Sequence, residues 1–313
     1  MTCYPVDIEP LPVNTRRDAS WVRAVFREIR PHQWVKNLLV FAAAFLSHRI
    51  FDSAILVRAA LAMLSFCAAS SAIYVINDLA DLEADRKHPV KRERPFASGQ
   101  LPRAWGYWLP PLLLAVALSI ALPISPGFAA WLGVYVAAAV VYSFFLKTQP
   151  LLDVICLAGL YAVRVWAGGA ATGIPISPWT MAFVMFLFFS LALSKRYSEL
   201  FNLTQKQERW VDRRGYETSD MPCLQSLGTT SGLLSILVLA LYIHSNEIAE
   251  VYRRPETLWL LCPLIGYWIG RLWLLTSRGQ MHEDPVIYAF RDRTTYLVGA
   301  AVVAIIIIAT VAR

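Results

Sequence analysis

Tyr74-Val-Ile-Asn77-Asp78-Leu-Ala-Asp81-Leu-Glu-Ala-Asp85-Arg86-Lys87 joins the end of an apolar run to a dense cluster of charge. The run, about 54 to 77, is long enough to cross a bilayer, which takes roughly 18 to 20 apolar residues. If the helix continues past it, Asp78, Asp81 and Asp85 fall at i, i+3 and i+7 on one face, with Asn77 at its edge. Like charges stacked so closely destabilise a helix unless a cation bridges them, and oxygen donors are what a hard divalent ion takes. For any one aspartate the bland reading is a solvated helix end. The ordered set at a membrane boundary favours a divalent ion such as Mg2+ among the acids, with coordination positions left for a diphosphate.

Composition extends this reading to the whole chain. Of 313 residues, 57% are hydrophobic and 16% charged, too little polarity to cover the surface of a soluble domain. Seven more apolar runs lie at about 104 to 122, 127 to 146, 151 to 172, 177 to 194, 226 to 244, 257 to 275 and 294 to 312. A marginal ninth, around 37 to 52, is broken by Ser47, His48 and Arg49, but nine spans put the basic N-terminus on the same side as the other basic loops. That side collects 22 of the 29 Lys and Arg residues, which predicts a cytoplasmic N-terminus and an external C-terminus. The first 30 residues are polar, so no cleavable signal peptide is expected. Five cysteines show no paired spacing and read as helix-packing residues.

The expectation is an all-α integral membrane protein forming one domain over 1–313. Residues 1–36 would be a cytoplasmic N-terminal segment, and 37–313 a transmembrane bundle with catalytic cytoplasmic loops at 78–103 and 195–225. The short outer turns, such as Pro123-Ile-Ser-Pro126, carry no chemistry. The long, charged inner ones are where function is expected. This gives a multi-pass protein of the inner (plasma) membrane with its active site facing the cytoplasm, and no nucleic-acid partner.

Asn77-Asp78-x-x-Asp81-x-x-x-Asp85 resembles the first signature of the UbiA superfamily of intramembrane prenyltransferases, and the resemblance covers essentially the whole chain. It implies nine helices around a cytoplasmic-side site. Members usually carry a second motif, Asp-x-x-x-Asp, after the sixth span, holding another magnesium. This chain departs from it: Ser194-Lys195-Arg196-Tyr197-Ser198-Glu199-Leu200 puts a lysine where the first acid would stand and keeps only Glu199.

Further cations share the basic side: Arg30 and Lys36 (beside Asn37), then Lys91, Arg92 and Arg94, then Lys147 after Tyr142. Each alone reads as a positive-inside residue meeting lipid headgroups. Together they suit more phosphate than one allylic diphosphate carries, with arginine as bidentate phosphate binder and lysine as point charge. The departure resembles the decaprenyl-phosphate phosphoribosyltransferase branch, which makes decaprenylphosphoryl ribose 5-phosphate for arabinan and cell-wall synthesis. Arg30-Pro-x-Gln-Trp-Val-Lys-Asn37, Lys195-Arg-Tyr-x-Glu-Leu200, Glu283-Asp284 and Arg291-Asp-Arg293 carry that likeness.

The resemblance implies phosphoribosyl pyrophosphate as donor, a polyprenyl phosphate as acceptor and, as cofactor, Mg2+ held on the pyrophosphate by Asn77, Asp78 and Asp81. Asp78, Asp81 and Lys195 would be catalytic. Arg30, Lys36, Asn37, Asp85, Lys91, Arg94, Tyr142, Lys147, Tyr161, Arg164, Arg196 and Glu199 would meet substrate phosphates. The acceptor phosphate is anionic at neutral pH, so no general base is needed, and the inner loops show no obvious His or Cys nucleophile.

Two residues stay open. Asp153 is either a further ligand or a helix cap, and Arg164, about 16 Å further along its helix at roughly 1.5 Å per residue, either serves the inner cavity or is held by backbone carbonyls. The competing functions are an ordinary prenyltransferase, with Glu199 and Asp212 rebuilding the second acid pair, and a transporter using Arg164 and Arg271. A homo-oligomer, a trimer included, is compatible with the sequence.

Overall fold

In the computed structural model, residues 18–87, 90–205, 215–245, 248, 251–281 and 284–311 are described. The N-terminal 17 residues, Asp212 and Glu283 lie outside them. Among the described residues there are twelve α-helices, and eight helical stretches are long and apolar enough to cross a membrane.

A short amphipathic helix, α1 (Asp18–Glu28), precedes a 3-10 helix at Pro31–Phe41 that runs straight into α2 (Ala42–Leu46). These last two occupy the stretch where the marginal ninth span is expected. Eleven residues of 3-10 helix rise about 22 Å and five of α-helix about 7.5 Å, so sixteen residues reach roughly the 30 Å of a hydrocarbon core.

α3 (Ser53–Ala80) follows, capped by Asp52, whose carboxylate accepts from the Ala54 and Ile55 amides at 3.0 and 3.4 Å. Next come α4 (Leu82–Lys87), α5 (Arg103–Ile124) and α6 (Pro126–Phe144). Ser125 caps α6 through the Phe128 amide at 3.0 Å, and Pro126 sits where a missing N–H costs nothing. α7 (Leu152–Thr172) ends on Gly173 at φ +73°. α8 (Pro178–Gln205), α9 (Met221–His244), α10 (Leu261–Ser277), α11 (Pro285–Ala289) and α12 (Arg293–Val311) complete the chain.

Neighbours in sequence are mostly neighbours in space: α3 packs on α5, α6 on α7, α7 on α8, α8 on α9 and α9 on α10. Small residues allow close approach and hydroxyls bond across it. Ser65 donates to the Ala117 carbonyl at 2.7 Å, Ser190 to Gly228 at 2.6 Å and Ser231 to Phe186 at 2.7 Å. The 31–46 segment lies against α3 and α7. Its closest approach is at Gly168, where a Cβ would stand 2.1 Å from the Val40 carbonyl oxygen.

Two expectations change. The helix that was to carry three aspartates on one face stops at Ala80: Asp81 leaves it at ψ 7° and α4 starts anew. The expected catalytic loop 195–225 begins as helix, because Leu193, Tyr197 and Leu200 continue the buried face of α8 to Gln205.

Candidate active site

A cavity of about 930 Å³ opens among the 31–46 segment, α3, α6, α7, α8 and the stretch before α12. Among the described residues six cationic side chains line it, Arg30, Lys36, Arg94, Arg164, Lys195 and Arg291, against one carboxylate, Asp284. Asn77, Tyr142 and Tyr161 line it too.

At the α3 end Asp78 and Asp85 share one cation while Asp81 turns to another. Asp78, 3% exposed, accepts from Arg30 and from Arg94 Nη1 at 3.0 Å. Arg94 also reaches Asp85 at 2.6 Å, while Asp81 turns to Lys147, whose Nζ lies 2.9 and 3.1 Å from its oxygens. The cations relieve the repulsion between neighbouring carboxylates, Arg94 by bridging Asp78 and Asp85 and Lys147 by drawing Asp81 aside. Arg30 meets Asp78 from a left-handed backbone, φ 51° and ψ 61°, a conformation that costs energy in a non-glycine residue and clusters at functional sites.

Sequence reasoning missed Glu28. It ends α1, is fully buried beside Asp78, and accepts no hydrogen bond from any described donor. Burial first, then the charge of Asp78, push its carboxyl from 4.5 up to about 8 against the pull of Arg30 and Arg94. It therefore carries a proton at neutral pH and donates it toward Asp78. The signal was present but weak: a lone acid on the inner turn of an amphipathic helix. Asp78 itself lines not the main cavity but a second one, about 740 Å³, together with Arg23, Arg27, Glu28, Lys91 and Arg94. Lys91 lies there and not on the main cavity.

At the α8 end Asp284 joins two lysines: Lys36 at 2.8 Å and Lys195 at 3.1 Å. Burial alone would raise the Asp284 carboxyl, but Lys195 and Lys36 outweigh it and hold it well below the usual carboxylate range. Lys195 thus points into the cavity with an acid supplied by a different element. Asp284 also N-caps α11 through the Val286 amide at 3.1 Å. Lys36 lies where the cavity meets an apolar groove of about 440 Å³ walled by Val35, Leu39, Phe45, Leu191, Trp268 and Phe290.

Arg196 and Glu199 do not join this surface. Arg196, 1% exposed, donates to Asp153 at 2.5 Å, to Glu199 at 2.6 Å and to the Tyr142 hydroxyl at 3.0 Å. Asp153, fully buried, also accepts from Tyr216 at 2.6 Å, so it is neither a helix cap nor free to ligate: it is the counter-ion of Arg196. The network ties α6, α7, α8 and the segment before α9 together behind Tyr142.

Arg164 lies at the cavity floor, 5% exposed. Its Nε donates to Asn37 Oδ1 at 2.9 Å, Nη1 to the Leu160 carbonyl at 2.6 Å and Nη2 to the Tyr135 hydroxyl at 3.1 Å. Its guanidinium carbon stands 4.6 Å from the centre of the Tyr135 ring. Tyr161, stacked on Phe188 at 4.3 Å, walls the same end. Asn37 therefore acts through Arg164 rather than on the cavity surface.

Among proteins of known sequence, the profile of the UbiA prenyltransferase family matches residues 38–293. An uncharacterized protein of Sinorhizobium fredii, y4nM, is 34% identical over 90% of this chain, which spans only 55% of that relative. Nodulation protein NoeC of Azorhizobium caulinodans is 34% identical, over 84% of this chain and 85% of its own. Decaprenyl-phosphate phosphoribosyltransferase of Mycobacterium tuberculosis is 31% identical, over 93% and 96%. In fold, a UbiA homolog from Archaeoglobus fulgidus bound to DMAPP and Mg2+ superposes with a TM-score of 0.69 at 20% identity, over 90% of this chain and 99% of that one. The all-helical fold agrees with these matches, and the chain belongs to the UbiA prenyltransferase family.

Proposed function

We propose that the chain transfers 5-phosphoribose from phosphoribosyl pyrophosphate to a polyprenyl phosphate of the decaprenyl type, giving a polyprenylphosphoryl ribose 5-phosphate for cell-wall arabinan. The observation that carries this reading is the cavity lining, six cations to one carboxylate. A prenyl donor brings one diphosphate and an aromatic acceptor little charge. A phosphoribosyl donor and a phosphate acceptor together bring three separate phosphate groups. The likeness to the M. tuberculosis phosphoribosyltransferase supports the same choice.

Divalent metal fits the α3 end. The buried Oδ1 of Asn77 accepts no hydrogen bond in the structure, and an orphan amide oxygen beside the Asp78 carboxylate is a donor set for a hard ion that keeps its own waters. No group of three or more His, Cys, Asp or Glu side chains able to hold a metal occurs among the described residues, so the donors would be Asn77 and Asp78, with Asp81 joining on release from Lys147. Mg2+ bound there would neutralise charge on the departing pyrophosphate.

The side chains supply the rest. Arg30 and Arg94, aimed at Asp78, would turn to pyrophosphate oxygens as they form bidentate contacts. Lys36 and Lys195 would hold the acceptor phosphate where the cavity meets the apolar groove, with the polyprenyl chain lying in the groove. That phosphate attacks the anomeric carbon as an anion, pyrophosphate leaves, and no side chain has to take a proton. In this reading the protein sits in the plasma membrane with nine spans and a cytoplasmic cavity mouth.

The test incubates purified protein with labelled phosphoribosyl pyrophosphate, polyprenyl phosphate and Mg2+. Formation of a lipid-linked phosphoribose, abolished by chelation, is expected. Transfer of a prenyl group from an allylic diphosphate to an aromatic acceptor, without phosphoribosyl transfer, would overturn the assignment while leaving the family intact.

A further inference from the structure

Resting on the phosphoribosyl reading above, we infer that Arg164 is the station for the donor's 5-phosphate, and so the residue that selects a sugar phosphorylated at both ends. Three observations carry this. First, Arg164 is a buried guanidinium within a membrane-spanning helix, and among the described residues no carboxylate pairs with it. The other cations engaged deeply in the site have their acids: Arg30 and Arg94 have Asp78, and Lys36 and Lys195 have Asp284. A full charge left without a counter-charge at such depth is costly, and such residues mark the path of a charged substrate.

Second, the guanidinium is held in place yet only partly used. Asn37, Leu160 and Tyr135 take three of its N–H groups, leaving two of the five that arginine offers. Asn37 is itself anchored, donating to Ser70 Oγ and Cys67 Sγ at 3.3 Å each. An arginine needed only for packing has no reason to be oriented by a fully buried asparagine from the 31–46 segment while facing a cavity of about 930 Å³.

Third, the spacing excludes a single small anion serving both ends. Asn37 ties Arg164 to the level of Ser70, seven residues before Asn77 on α3, so floor and mouth stand roughly 10 Å apart at about 1.5 Å per residue. A sugar with a phosphate at one end and pyrophosphate at the other spans that interval. The acceptor phosphate is drawn elsewhere, to Lys36 at the apolar groove. The floor is left for the 5-phosphate.

Calorimetric binding to the purified full-length protein with Mg2+ tests this, with ribose 5-phosphate, inorganic pyrophosphate and a micellar polyprenyl phosphate as separate probes. Arg164→Gln should weaken ribose 5-phosphate ten- to hundred-fold while pyrophosphate and the lipid stay within about two-fold. Arg164→Lys keeps the buried charge and loses the fork, and it should weaken ribose 5-phosphate alone, by a smaller factor. This second variant stands if the first does not fold. Unchanged ribose 5-phosphate binding in a folded variant, equal loss of all three probes, or loss confined to the lipid would each overturn the inference. A wild type that binds pyrophosphate but not ribose 5-phosphate would instead take down the donor reading on which it rests.

Discussion

At the residue scale, Lys195 and Glu28 show how charge is set by partners that a linear reading does not pair. Lys195 stands where the family's second acid motif would begin, and its ammonium meets Asp284, 89 residues away. Lys195→Ala should cut kcat/KM with phosphoribosyl pyrophosphate about ten- to hundred-fold, the value of a charge-assisted phosphate contact of roughly 1.5 to 3 kcal/mol. Steady-state kinetics would check it, and an unaffected variant would remove Lys195 from the site. Glu28 makes a prediction about pH. Its carboxyl titrates near 8 in the fold and near 4.5 when unfolded, so the folded state keeps a proton that the unfolded chain releases. The contribution is fully present below about 4.5 and is lost as pH rises through about 8. In metal-free buffer, the thermal midpoint of Glu28→Gln should gain on the wild type as pH is raised from 5 to 9. A constant difference across that range would show that Glu28 is ionised in the fold.

At the scale of elements, the contact between the 31–46 segment and α7 fixes the cavity floor, because Asn37 and Arg164 meet across it. Gly168→Ala would drive a Cβ into the Val40 carbonyl, 2.1 Å away, and backbone cannot swing aside as a side chain can. The expected cost is about 1 to 3 kcal/mol of stability. Gly159→Ala on the same helix faces open space and should be neutral or slightly stabilising. Thermal unfolding of the two variants in one detergent separates them. The eight apolar helices were legible in the sequence because the bilayer imposes a length, and the ends fall within a few residues except at the end of α8 and the start of α9. The break at Asp81 was not legible, since it follows from where Lys147 and Arg94 lie in space, not from the spacing of acids along α3. Of the candidate site, Arg30, Lys36, Asn77, Arg94, Tyr142, Tyr161, Arg164 and Lys195 line one cavity, while Asn37, Asp78, Asp81, Asp85, Lys91, Lys147 and Glu199 lie off its lining. Arg196 lies off it too, because a cation at a helix end reads the same whether it faces substrate or a buried aspartate on the next helix.

At the scale of the molecule, the crossing number decides which side of the membrane the N-terminus takes. The 31–46 segment begins at Arg30 beside Asp78 and leads to His48, whose ring stacks edge-on against Tyr252 at 5.0 Å and lies 3.5 Å from Thr310 near the end of α12. It therefore runs the length that α3 runs back. A 3-10 stretch makes this possible with sixteen residues, since its longer rise offsets its shortness. If the segment crosses the bilayer, the basic N-terminus and the acid cluster share the cytoplasm and the C-terminus lies outside. If it does not, N-terminus and acid cluster face opposite sides. A fluorescent reporter that folds only in the cytoplasm should light when fused before residue 18, and a phosphatase active only outside should work when fused after Arg313. A phosphatase active at the N-terminus, with no change at the C-terminus, would reduce the bundle to eight spans. The cavity mouth would then stay with the 78–103 loop, but Glu28 and Arg30 could not reach Asp78 without crossing the membrane, so that outcome would contradict the packing of α1 as well as the count.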